Sequence, residues 1–359
     1  MAWPADELLQ EAAFKAAPEP NLTDWLVRRA HRRYGLLGGH NADVAGAWAA
    51  LGASGYAIDK GVGGKCTAAL FLQLFPKSKR RCGTDASGVC QMGTLDEISR
   101  GLDKTYFESD LRTPTGEMCL EWAAWGSLNA AAPAVAAATA GGEGLPEPFV
   151  YDLVNTAREV LAQLSTPMLL NFSSSFNSSA ARIDETATLF TELLRDLERL
   201  LATDPAFMLG PWLEAARRLG GNATDCVDTQ IAGDIGDCGD FMEWNARAQL
   251  TTWYPVIGSA SAPIVQQGGR DHDYARKQWS GLIRDVFIPR AELYRKQALS
   301  DAAAGSAFNG TAALEGYARL SFAWQTSYPS KYPTQPQSDP VAVSTGLWRK
   351  YSSFFSSCG

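Results

Sequence analysis

Residues 149–165 read Phe149-Val150-Tyr151-Asp152-Leu153-Val154-Asn155-Thr156-Ala157-Arg158-Glu159-Val160-Leu161-Ala162-Gln163-Leu164-Ser165. Val150, Leu153, Val154, Ala157, Leu161 and Leu164 fall on one stripe, with Asp152, Arg158 and Glu159 off it. That is the 3.6-residue period of a helix with one face buried, not the two-residue period of a strand. Leu189, Leu193, Leu197 and Leu200 repeat it across 184–201. Working outward, helices are predicted over 6–16, 22–34, 42–52, 115–128, 206–219, 239–253, 273–299, 312–327 and 340–352. No alternating run of strand length competes, so the expected class is all-α: a large multi-helix domain or bundle.

The predicted helix ends carry matching chemistry. Asn21 followed by Asp24 resembles a capping box, and Gly35 can end that helix in the left-handed region. Asp204-Pro205 and Asp339-Pro340 each offer a cap followed by a proline at the first helical position, where no amide hydrogen is needed. Pro289, inside the longest pattern, should kink or divide it. Two stretches resist the helical reading. Residues 54–114 are rich in Gly, Cys and charge and read as one long irregular insertion. Residues 255–271 are rich in Gly, Ser and Gln and read as a flexible surface loop.

The 359 residues are 46% hydrophobic and 20% charged, enough apolar material for a sizeable core. A net charge of -7 argues against a nucleic-acid footprint, and Lys77-Ser78-Lys79-Arg80-Arg81 reads as a solvated loop. The alanine-rich run 130–140 is too short for a membrane span and is interrupted by Pro133. The first residues, Met1-Ala2-Trp3-Pro4, lack the basic and apolar regions of a secretory signal. Yet five of nine asparagines lie in Asn-x-Ser/Thr: Asn21, Asn171, Asn177, Asn222 and Asn309. That excess points to a glycosylated, secretory parent, although a helix N-cap also accounts for an asparagine such as Asn21. Of seven cysteines, Cys66, Cys82 and Cys90 share one irregular stretch, and Cys226 and Cys238 another. Loop pairs such as Cys226–Cys238 would be natural disulfides in an oxidising compartment. None is spaced as CxxC, and His31, His40 and His272 are scattered, so neither a metal site nor a cofactor is expected.

Catalytic signatures are sparse. Glycoside hydrolysis needs two carboxyl groups facing one bond, and none of the 39 acidic residues is marked out as such a pair. Asp271-His272-Asp273 reads best as a charged loop entering a helix. Gly61-Val62-Gly63-Gly64 lacks the Lys-Ser/Thr of a phosphate-cradling loop, and GxSxG and HExxH do not occur.

A resemblance supplies what periodicity does not. Asn245-Ala-Arg247-Ala-Gln249-Leu250-Thr251-Thr-Trp253, then Asp273-Tyr274-Ala275-Arg-Lys277-Gln278-Trp-Ser-Gly281-Leu282, then Pro289-Arg290, resembles the C-terminal domain of the α-N-acetylglucosaminidase family. Trp25 to Gly35, Tyr151 to Arg158, Phe207 to Arg217 and Tyr332 to Asp339 agree in order. The resemblance runs from about residue 6 to the C-terminus and is weak across 54–114.

The resemblance implies retaining hydrolysis of terminal α-linked N-acetylglucosamine, as in lysosomal heparan sulfate degradation. It places both catalytic glutamates in a preceding (β/α)₈ barrel of the same or a separate chain. Neither glutamate carries over to a residue here. Asp6-Glu7-Leu8-Leu9 resembles the helix after the nucleophile's motif, so 1–20 reads as the remnant following the barrel and 21–359 as the helical domain. The implied pocket residues are Trp253 and Tyr274, whose rings suit the C–H face of a sugar. Taken as residues alone, both are better read as core aromatics on helix faces, since buried aromatics are common. Arg247 and Gln249 fit a buried ion pair or helix–helix hydrogen bond, and Lys277 and Gln278 fit structural roles. The expected function is a supporting domain of a glycosidase, inactive alone. A free-standing helical binding protein or scaffold, or a separately encoded subunit, is the rival.

Overall fold

A computed structural model describes residues 21–36, 41–54, 114, 116–138, 144–221, 223, 236–253, 256–259, 262–265, 275, 277–327 and 331–358. The predicted helix 6–16, the insertion 54–114 apart from its two ends, Cys226 and Tyr274 lie outside them. The helices are α1 (Leu22–Arg33), α2 (Ala42–Ala53), α3 (Gly116–Ala138), α4 (Glu147–Ser174), α5 (Ala180–Leu201), α6 (Leu209–Gly220), α7 (Cys238–Leu250), α8 (Ile288–Ala303), α9 (Gly310–Gln325) and α10 (Pro340–Tyr351). Short 3-10 turns occupy Pro205–Phe207 and Ser352–Cys358, and a π-turn occupies Ile283–Phe287. The class is all-α, as the periodicity requires.

The caps at Asn21 and Asp204 and the stop at Gly35 form as read. Asn21 Oδ1 accepts the Thr23 and Asp24 amides at 2.9 and 3.4 Å, and Gly35 ends α1 with φ 74°. Asp204 Oδ1 accepts the Ala206 amide at 2.8 Å ahead of the turn that Pro205 begins. Helix α4 outruns its apolar stripe. Ser165, Ser173 and Ser174 return their hydroxyls to carbonyls three residues back, so these polar residues sit inside the helix without stranded donors.

Two readings need correction. Residues 256–265 are not a plain loop: β1 (Val256–Ser259) and β2 (Ala262–Val265) form an antiparallel hairpin, with Val256 opposite Val265. A two-stranded ribbon of four residues a side, with Pro263 in one strand, shows no alternation to read. The helix predicted over 273–299 starts late. Gly281 sits at φ 89°, outside helical space, and the π-turn follows, its Ile283 carbonyl accepting the Ile288 amide. Pro289 then opens α8, so proline divides the pattern as expected.

The chain partitions into two compact units. Among the described residues, one draws on 21–54, 114–160 and 340–358, and the other on 161–339. In the first, α2 packs on α1 and α3, and α10 packs on α3. Trp122 stacks between Trp348 (5.2 Å between centroids) and Phe355 (4.1 Å), and meets Trp125 edge-on. Gly126 lies against the Trp348 indole, where a Cβ would come within 3.0 Å of the ring. The Trp125 indole N–H donates to Ser344 Oγ at 2.7 Å, and Cys119 is bonded to Cys358. Asp152 of α4 accepts from Arg33 Nε (3.0 Å) and the Tyr34 hydroxyl (2.9 Å), which itself takes the Trp48 indole N–H. Burial pushes the Asp152 carboxyl above its usual value, against the pull of Arg33.

In the second unit α5 packs on α8, α6 on α7, α8 on α9, and the hairpin on α9. The extended residues before α6 pair with the segment before the π-turn: Ser280 N–H donates to Phe207 O and Leu209 N–H to Ser280 O. Gly210 lies under Pro333, whose carbonyl a Cβ would strike. This unit carries the site.

Candidate functional site

The site is built from the end of α7. Asp237 caps that helix through the Asp240 amide, and its buried face carries Glu243, Trp244, Arg247 and Leu250. Glu243 and Arg247 are both 0% exposed and one helical turn apart. Arg247 Nε and Nη2 donate to one Glu243 oxygen at 2.9 and 2.6 Å. Arg217 of α6 donates to the other Glu243 oxygen at 3.0 Å and also to Asp240. Charge withdrawn from water requires this density of partners. Arg247 Nη1 then crosses to α9, donating to the Trp324 carbonyl (2.9 Å) and Ser327 Oγ (3.3 Å). Its guanidinium lies 4.8 Å from the Trp324 ring centroid and 5.5 Å from that of Tyr332. The buried ion pair expected of Arg247 is therefore present.

Beyond Leu250 the chain turns. Thr251 and Thr252 are fully buried, and the Gln325 side-chain amide donates to their hydroxyls at 3.0 and 2.8 Å. The Thr251 hydroxyl donates back to the Arg247 carbonyl. The Ala248 carbonyl accepts both the Thr251 amide (3.2 Å) and the Trp253 amide (2.8 Å). Trp253 emerges from this turn at φ 63°, the one non-glycine residue with positive φ among those described. The residue is 37% exposed. A bulky residue in left-handed space is uncommon, and strained backbone of this kind gathers at functional positions.

The other foot of the hairpin segment is fixed by Glu198 of α5. The Gly281 amide donates to both Glu198 oxygens at 2.9 Å, Ser280 Oγ to one at 2.9 Å, and the Arg284 amide to the other at 3.2 Å. Burial raises the Glu198 carboxyl above its usual value, and these donors oppose the rise. Tyr332 stands between the two feet, with the Arg247 and Arg284 guanidinium groups each 5.5 Å from its ring centroid. Its hydroxyl takes the Trp324 indole N–H at 3.0 Å. Burial would raise Asp285, but its hydrogen bonds from Arg284 and Tyr332 prevail and hold it low.

Of the two aromatics expected to face a sugar, Trp253 thus lies at the head of a braced turn, and Tyr274 is outside the described residues. Lys277 is exposed with its ammonium 5.3 Å from the Trp279 centroid, and Gln278 is buried. Sequence reasoning missed Gln325, Glu198 and Tyr332. Gln325 had a signal: it continues the stripe Tyr317, Ser321, Trp324, where an apolar residue would be the rule. The sequons spread widely. Asn21 and Asn309 cap α1 and α9, Asn177 accepts the Phe308 amide, and all three are exposed. Asn171 lies inside α4 and accepts from Arg182, while Asn222 is outside the described residues. Among the described residues no cluster of metal-ligating side chains occurs, and no helix is long and apolar enough to cross a membrane.

The fold matches solved structures. The chain aligns over 97% of its length with CpGH89 of Clostridium perfringens, two glutamates changed to glutamine, in complex with its substrate GlcNAc-alpha-1,4-galactose. The TM-score is 0.65 and the identity 19%, with 33% of that chain covered. A family 89 glycoside hydrolase from the same organism, bound to 2-acetamido-1,2-dideoxynojirimycin, aligns with the same TM-score at 20% identity and with the same share covered. In sequence, human alpha-N-acetylglucosaminidase is 27% identical over 349 residues, which are 96% of this chain but 37% of the human protein. The chain thus spans little more than a third of that relative. The model of the alpha-N-acetylglucosaminidase (NAGLU) C-terminal domain matches residues 25–350, which take in the paired arginines, both feet of the hairpin segment and Trp253. It is to this family of C-terminal domains that the chain belongs.

Proposed function

We propose that the chain is the supporting helical part of an α-N-acetylglucosaminidase-type glycosidase, with Trp253 and Tyr274 lending their rings to the sugar pocket. In this reading a catalytic (β/α)₈ barrel, on the same or a separate chain, supplies the acid and the nucleophile. Residues 1–20 are the remnant following that barrel, and 21–359 are the helical domain. The substrate is a glycan ending in α-linked N-acetylglucosamine, and the parent protein works in the lysosomal or secretory compartment. No cofactor or metal takes part.

One observation carries the reading: an exposed indole held in left-handed backbone by a fully buried polar network. A core tryptophan needs no such arrangement, whereas a ring that must meet a sugar face at a fixed angle does. The buried carboxylates described above support the division of labour. Glu243 is held by two arginines, Asp152 by Arg33 and Tyr34, and Glu198 by backbone amides, each in a structural role.

The test uses a chromogenic α-N-acetylglucosaminide. The purified chain should give no turnover above buffer, and appreciable hydrolysis would overturn the assignment of catalysis to a barrel. Joined to a family barrel, the chain should support hydrolysis. Trp253→Ala should then lower kcat/KM about tenfold, the loss of roughly 1.4 kcal/mol of ring contact. An unchanged kcat/KM would remove Trp253 from the pocket.

A further inference from the structure

We infer that Gln325 is a positioning residue for Trp253, fixing through two threonine hydroxyls the backbone that turns the indole outward. The inference rests on the sugar-facing reading of Trp253, but its evidence is geometric and independent of any ligand.

Trp253 at φ 63° occupies a conformation that a bulky L-residue rarely adopts, and such a conformation persists only where its surroundings over-determine it. The peptide units before it provide that constraint. Thr251 and Thr252 are both 0% exposed, so neither hydroxyl has water as an alternative partner. The Gln325 amide nitrogen carries two hydrogens, and its two hydroxyl acceptors stand at 3.0 and 2.8 Å. Gln325 is itself fully buried at the last position of α9. The preceding carbonyl, that of Trp324, receives the Arg247 guanidinium. The end of α9 therefore grips α7 twice, once through charge and once through an uncharged amide aimed at the turn. The amide grip is the one that reaches the residues bearing Trp253. Tightening or releasing it changes where the indole points without touching the Glu243–Arg247 pair.

The test is a double-variant cycle on the full chain, with thermal unfolding as one readout and fluorine resonances of 5-fluorotryptophan as the other. The eleven tryptophans give separate lines, and Trp253→Phe identifies the one of interest. Gln325→Leu keeps the volume and deletes the donors. It should lower Tm and shift the Trp253 line together with that of its neighbour Trp324. In a Trp253→Gly background, where positive φ carries no strain to be recovered, the same substitution should cost more Tm than in the wild type, whose released backbone recovers its strain. A merely structural glutamine would cost the same in both backgrounds, and that result would overturn the inference. If Gln325→Leu does not fold, Thr252→Val removes one acceptor at constant shape, and the cycle is repeated with it. Equal cost in both backgrounds again overturns the proposal. No step needs a sugar, so a failed glycosidase reading would show in the hydrolysis assay and leave this cycle to be judged alone.

Discussion

Position 247 holds an arginine withdrawn from water and answered by Glu243, a backbone carbonyl and two aromatic rings. Removing one member of such a pair leaves the other charge without a partner. Arg247→Met should therefore cost about 3–5 kcal/mol, read as a lowered urea midpoint with unchanged slope. A loss below about 1 kcal/mol would mean that the pair is open to water. Glu198 makes a different prediction, in pH. Its folded carboxyl is raised above the usual 4.5, so the folded state keeps its proton where the unfolded chain has released it. Its contribution is complete below the unfolded value and is lost as pH climbs through the folded one. Tm followed from pH 4.5 upward should carry that downward component, and Glu198→Gln should abolish it. An unchanged profile in the variant would assign the slope to another group, of which Asp152, also raised, is the first to examine.

Among the elements, close approach sets the strongest constraints. Gly126→Ala would drive a methyl into the Trp348 indole where α10 crosses α3, and should cost about 1–3 kcal/mol by thermal melt. A neutral outcome would show that α10 can slide. The Cys119–Cys358 bond ties α3 to the last turn, and Cys358→Ala should cost about 2–5 kcal/mol by thermal melt without reductant. Cys238, the first residue of α7, is also disulfide-bonded, and its partner lies outside the described residues. How much of this was legible depends on whether a residue answers to its neighbours in sequence or in space. The stripes of α4 and α5, the caps at Asn21 and Asp204, and the break at Pro289 are local and were read directly. The hairpin was not, because four residues a side with Gly258 opposite Pro263 present no period. Nor was the late start of α8, since nothing in 273–281 announces that Glu198, eighty-three residues earlier, captures the Gly281 amide. The same holds for the site. Trp253 came from a resemblance, but the glutamine that braces it pairs with residues 73 and 74 positions away.

For the molecule as a whole, the sequons offer a test of compartment. Asn21, Asn177 and Asn309 are exposed and use their side-chain oxygen as acceptor, which leaves the amide nitrogen to carry a sugar. Secreted from a eukaryotic host behind an added leader, the chain should carry glycans at these three, seen as mass lost on enzymatic deglycosylation. A single unglycosylated mass would argue that the motifs are caps and nothing more. The partition into two units has a consequence for how the chain is made. One unit is assembled from three separated stretches, and its last contributor is 340–359. On a ribosome, therefore, α1, α2 and α3 wait for 340–359 before their unit is complete. The Cys119 thiol waits 239 residues for Cys358, about 12–48 s at ordinary elongation rates. Through that interval Trp122 and Trp125 lack the tryptophan and serine that will cover them. A nascent-chain chaperone or oxidoreductase would find its client there, and a stop codon ahead of Ser344 would leave α3 without its cover.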